Sequence, residues 1–132
     1  MKRTLIRVAA VAFILFIISA VVIADRGEGD NWWAFIHDIP YGDKFGHVGL
    51  MGTLCFLCNL AFPCQSFKIP TDLVTPATLA VFILVSLEEL SQAFIPNRSC
   101  DWLDWLADII GIFLGQTAAL LILRRHNAPS EN

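Results

Sequence analysis

Charge is scarce in this sequence. Of 132 residues only 16% are Asp, Glu, Lys or Arg, while 56% are hydrophobic. An ordinary soluble domain carries about a quarter charged residues, so this chain is too apolar for one and suits a small membrane bundle. Basic residues number nine, form no long run and leave a net charge of −3, which excludes the basic stripe that a nucleic-acid backbone requires. Nucleophile-elbow (GxSxG) and zincin (HExxH) patterns are missing, and no internal repeat or low-complexity stretch divides the chain. It reads as a single domain over residues 1–132. Four cysteines are present, but Cys55 and Cys58 form a lone CxxC inside an apolar run with no second ligand pair, the setting of small core residues. Cys64 and Cys100 fall near opposite membrane faces in the topology below, which argues against a bridge.

What the chain has is apolar length. Segments at about 4–24, 44–62, 73–95 and 102–123 are each long enough to cross a hydrocarbon core of about 30 Å. In lipid the backbone must satisfy its own hydrogen bonds, so such segments are helices. The expected fold is all-α: an integral membrane bundle of four transmembrane helices. Pro63, Pro70 and Pro96 with Asn97 mark turns, and Pro76 falls in the first turns of the third helix. The first segment has the basic start of a signal peptide, but its apolar stretch from Val8 to Ala24 is longer than a usual signal core, so it reads as a retained anchor.

Basic residues set the orientation. Lys2, Arg3, Arg7, Lys68, Arg124 and Arg125 lie on one side against Arg26, Lys44 and Arg98 on the other. Both termini are therefore expected in the cytoplasm. The outer side then holds Trp32, Trp33, Tyr41, Trp102 and Trp105, with the stretch NWWAFIHDIPYG lying partly along the membrane surface. His37 and His126 read as ordinary surface residues.

Scarce as charge is, it converges. Asp101, Asp104, Asp108, Gly111 and Gly115 follow one another at steps of three and four, one stripe of the fourth helix. The acidic end of this stripe runs into a GxxxG that admits a close neighbour. Glu88 and Glu89 lie four and three residues before Gln92 near the outer end of the third helix. Asp43, Lys44 and His47 open the second from the same side. Asp101 and Asp43 also suit helix N-caps. Glu88, Glu89, Asp104 and Asp108 lie deeper, where a lipid-facing charge costs about 2.5–3.5 kcal/mol, and so are expected to face inward around one polar chamber. Six acids against Lys44, Arg98 and His47 leave two readings: some carboxyls hold protons, or a cation such as a hard divalent ion is bound.

At these same residues the chain resembles the VanZ-like family of small bacterial membrane proteins. The resemblance rests on Asp43-Lys44 with His47, Glu89 with Gln92, then Arg98, Asp101, Asp104, Gly111 and Gly115, and covers roughly residues 40 to 118. Two positions depart from the family pattern, which has Asn in place of Asp108 and an aromatic in place of Met51. The resemblance implies a multi-pass protein of the bacterial inner membrane concerned with the envelope. The name-giving members are linked to teicoplanin resistance, and relatives accompany polysaccharide biosynthesis genes.

The expected function is therefore an outward-facing pocket that binds or processes an anionic envelope lipid or glycan precursor. His47, Glu89 and Asp104 are the candidates for acid–base chemistry. Asp43, Lys44, Glu88, Gln92, Arg98, Asp101 and Asp108 are the candidates for binding, with Lys44 and Arg98 on the anion. Two alternatives stay open: a proton- or ion-coupled carrier, which with so few helices requires a homodimer, and a non-catalytic scaffold for envelope enzymes.

Overall fold

The computed structural model describes residues 2–27, 39–63, 74–96, 98 and 100–127. Trp32, Trp33, His37, Cys64, Lys68, Pro70, Asn97, Ser99 and the side chain of His126 lie outside the described residues. Among the described residues there are four helices: α1 (Lys2–Asp25), α2 (Gly42–Ala61), α3 (Pro76–Gln92) and α4 (Trp102–Asn127). Among the described residues there is no strand, and each helix covers one of the apolar segments.

Local chemistry sets the ends. Thr75 caps α3, its Oγ1 accepting from the Thr78 N–H at 3.1 Å, and Pro76 occupies the first helical position, where its missing N–H costs nothing. At the other end Ala93, Phe94 and Ile95 donate N–H bonds to Leu90, Ser91 and Gln92, a tightening turn that stops α3 three residues before the expected limit. Asp101 caps α4 as expected, Oδ1 accepting from the Leu103 N–H at 2.9 Å. Asp43 does not cap α2. The residue before that helix is Tyr41, held at φ 60° and ψ 21° without a side-chain cap, and Asp43 stands inside the first turn, where its charge still complements the helix dipole.

The helices alternate in direction. Arg7, near the start of α1, donates from Nε to the Ala61 carbonyl at the end of α2, while Asp25 at the end of α1 meets Arg98 just before α4. α2 and α4 run parallel and form the closest pair, α3 packs against both, and α1 rests on α2. The small core between α2, α3 and α4 includes Cys55, Cys58, Val81, Val85 and Ile112. Cys55 and Cys58 are free thiols inside it, as their apolar surroundings predict.

The outside is greasier than the inside. Leu5, Leu15, Leu84, Leu87, Phe113 and Leu121 are exposed, whereas Asn59, Thr78, Glu89, Gln92, Asp108 and Gln116 are buried. A water-soluble bundle shows the reverse, and large exposed apolar patches mark a surface made for another apolar medium. Among the described residues two helices, over Arg3–Asp25 and Trp102–Arg125, are long and apolar enough to cross a membrane. α2 and α3 have 20 and 17 residues and carry buried polar groups; α3 is about 25 Å long, short of a full hydrocarbon core.

Candidate functional site

The site exists because α2 and α4 touch through glycine. A Cβ at Gly115 would run into the carbonyl oxygen of Gly52, and one at Gly111 into that of Val48. This contact brings the rest of the α4 stripe (Asp108, Asp104 and Asp101) against Lys44 and His47 on α2. The expected inward convergence of the stripe is what the backbone contact produces.

Lys44 sits at the focus of three carboxylates. Its Nζ lies 2.9 Å from Asp43, 2.7 Å from Asp101 and 2.6 Å from Asp104. Of these the contact to Asp101 is an aligned hydrogen bond. Asp104 Oδ1 is buried and meets Lys44 as an ion pair without hydrogen-bond alignment. Asp101, outside the helices, is held below the ordinary carboxylate range by Lys44 first and by the Leu103 N–H second. Among the described residues no group of three or more His, Cys, Asp or Glu is arranged to hold a metal ion.

His47 is the second focus. Its Nδ1 lies 2.9 Å from Asp108 Oδ1, and Asp108 is only 2% exposed. With Asp108 ionised, Nδ1 is the donor of this bond. Nε2 is 3.9 Å from Asp104 Oδ1, beyond hydrogen-bond reach. A histidine oriented at one nitrogen by a buried acid and unbonded at the other has the geometry of a general base. The hydroxyl of Ser91 donates to the Glu88 carbonyl of its own helix, and so is committed elsewhere.

Glu89, a candidate for acid–base chemistry, is engaged at both carboxyl oxygens. Oε1 accepts from the Asp101 N–H at 2.8 Å and Oε2 from Gln92 Nε2 at 3.0 Å. This buried side chain ties the end of α3 to the start of α4. Gln92 also donates to both oxygens of Glu88. Arg98 makes two longer contacts, each 3.5 Å, from Nη1 to Asp25 and from Nη2 to Glu88.

The chamber opens into a cavity of about 1210 Å³ between α1 and α3, floored by α2. Of the ten candidate residues, Asp43, His47, Glu88, Arg98 and Asp108 line it, while Lys44, Glu89, Gln92, Asp101 and Asp104 form a layer behind them. Asp25 escaped the sequence reading. Its signal was an acid closing a helix with no other acidic residue, but nothing in the sequence tied it to Arg98, 73 positions away. Trp105, whose Nε1 donates to Ser86 Oγ at 3.0 Å, was likewise assigned only to the interface belt. A second buried polar layer lies at the opposite end, where Asn59 donates to Thr78 Oγ1 at 3.0 Å and the Thr75 N–H donates to Gln116 Oε1 at 3.0 Å. Asn59 and Gln116, amides in the middle of apolar runs, were its visible sign.

Residues 4–123 match the family model described as VanZ/LLP1. No curated protein and no solved structure matches the chain. The match takes in all three helices that carry the chamber and nearly the whole of α1 as well. With more than half of its length covered by that model, the chain belongs to the VanZ/LLP1 family.

Proposed function

We propose that the protein is a four-span component of the bacterial inner membrane, with both termini cytoplasmic, whose chamber binds a phosphate-bearing envelope lipid or lipid-linked glycan precursor at the outer leaflet. The observation that carries this reading is the opening of a mixed-charge chamber into a large apolar cavity. A cleft with charge at one end and hydrocarbon walls along its length complements an amphiphile. Arg98 is the anion contact: its two ion pairs are long and its planar guanidinium suits phosphate oxygens. Lys44, expected to share this task, is ion-paired with Asp43, Asp101 and Asp104 and serves to hold α2 against α4. At family level the reading accords with a part in teicoplanin resistance or polysaccharide biosynthesis.

The test is a thermal shift of purified protein. Lipids bearing a phosphate should raise the melting temperature, and Arg98→Ala should remove that rise while Arg98→Lys keeps part of it. No shift across polyprenyl phosphates, phospholipids and lipid-linked precursors sinks the proposal.

A second reading rests on the orientation of His47 by Asp108, which equips the chamber to deprotonate water or a hydroxyl of the bound lipid, as in a hydrolase or transferase. Under it, His47→Gln abolishes turnover and leaves the thermal shift intact.

A further inference from the structure

The cavity has a length and a charge imbalance that narrow the ligand further. Its floor runs along α2 from Asp43 to Phe62, and its α3 wall from Glu88 to Pro76, roughly 18 Å for the latter twelve steps. One leaflet of hydrocarbon is about 15 Å deep. The groove therefore matches a lipid chain lying parallel to the bundle with its head at the chamber. It is also reachable from the side, since α1 packs on α2 and makes at most marginal contact with α3. A chain that leaves bulk lipid for this groove exchanges one apolar medium for another, so little selectivity comes from the tail. The headgroup must supply it.

At the head, acidic side chains outnumber basic ones. Among the described residues the chamber and its rim hold seven acids, counting Asp25, against Lys44, Arg98 and His47. A headgroup carrying negative charge alone would meet Arg98 and deepen the excess. One that also carries an ammonium corrects it. Glu88 and Asp43 line the cavity, and Asp43 is the most exposed of the acids around Lys44, open to a further cation.

Building on the reading above, we infer that the groove between α1 and α3 seats one chain of a zwitterionic aminophospholipid, with its phosphate on Arg98 and its ammonium between Glu88 and Asp43. The tail fits the apolar walls, Ile18, Leu50, Leu54, Ala80 and Leu84 among them, and the paired charges of the head distinguish it from a purely anionic lipid with the same chains.

Full-length protein is reconstituted into nanodiscs holding equal amounts of phosphatidylethanolamine, phosphatidylcholine and phosphatidylglycerol with identical chains, and native mass spectrometry reads the lipid kept after detergent stripping. Phosphatidylethanolamine is expected to be retained about tenfold over phosphatidylglycerol, corresponding to about 1.4 kcal/mol. Phosphatidylcholine, whose quaternary ammonium donates no hydrogen bond, falls between. Asp43→Asn with Glu88→Gln brings the two extremes near parity, and Ala80→Trp, which fills the groove from an accessible position, removes all retention with the melting temperature unchanged. Equal or better retention of phosphatidylglycerol overturns the amine assignment and leaves the phosphate site standing. Full retention by Ala80→Trp overturns the groove. Failure of every lipid, together with the absence of any thermal shift, overturns the broader reading as well.

Discussion

His47 Nδ1 lies 2.9 Å from Asp108 Oδ1, a bond that joins α2 to α4 just beyond the glycine contact. Replacing Asp108 by Asn removes the charge and keeps an acceptor, the residue the family pattern carries at this position. The expected cost is small, about 1 kcal/mol of stability. Asp108→Leu takes the partner from a half-buried imidazole and should cost more, about 2 kcal/mol. Denaturation in mild detergent distinguishes the two, and equal costs would remove the hydrogen bond from the account.

The Lys44 ammonium pairs with three acids at once. Lys44→Met strands them, with Asp104 the least exposed, and a loss of about 3 kcal/mol is expected from leaving such charge uncompensated. Adding Asp104→Asn in the same chain should recover a good part of that loss. A double-mutant cycle with no coupling would show that the pair contributes nothing.

Gly115→Ala places a methyl group against the Gly52 carbonyl, which is backbone and cannot swing away. The helices must separate, at a cost of about 1–3 kcal/mol or more. Gly49 has nothing within 4 Å of where its Cβ would stand, so Gly49→Ala should stabilise α2 by about 0.5–1 kcal/mol through its helix propensity. Opposite signs in thermal unfolding are the expected result.

Asp101 offers a pH signature. Lys44 lowers its folded pKa, so its contribution to stability is present above the unfolded value of about 3.9 and is lost as pH falls through the lower folded value. The advantage of wild type over Asp101→Asn in melting temperature should be constant down to about pH 5 and shrink below about pH 4. Asp101→Ala, which also removes the cap on the Leu103 N–H, should melt below Asp101→Asn throughout.

Cys100 is an exposed free thiol at the chamber end, whereas Cys55 and Cys58 are buried. In a Cys64→Ser background, a membrane-impermeant maleimide applied to intact spheroplasts should label Cys100 and spare the other two. Labelling that requires permeabilised cells would invert the proposed topology.

Much of this arrangement was legible in the sequence because period and polarity agree. The stripe from Asp101 to Gly115 repeats at steps of three and four, and a helix leaves no choice but to put those residues on one face. Uninterrupted apolar length located all four helices for the same reason. Partner choice was less legible. Nothing along the chain told that Lys44 would pair with three acids, that Glu89 would accept from the Asp101 backbone instead of facing the cavity, or that Asp25 would reach Arg98. Those outcomes depend on how helices far apart in sequence rotate against one another, which side-chain spacing within a single helix does not record. The cap on α2 went astray on a smaller scale, because a left-handed Tyr41 starts that helix two residues earlier than an Asp cap would.

The meeting of Gly52 with Gly111 and Gly115 has a mechanical corollary. Two helices in backbone contact cannot roll or slide past one another without collision, which makes α2 and α4 a stiff spine fixed in register. α1 stands outside this spine, packed on α2 and fastened at its end by the Asp25–Arg98 pair. The same guanidinium that would greet a lipid phosphate thus also latches the doorpost beside which the lipid must enter.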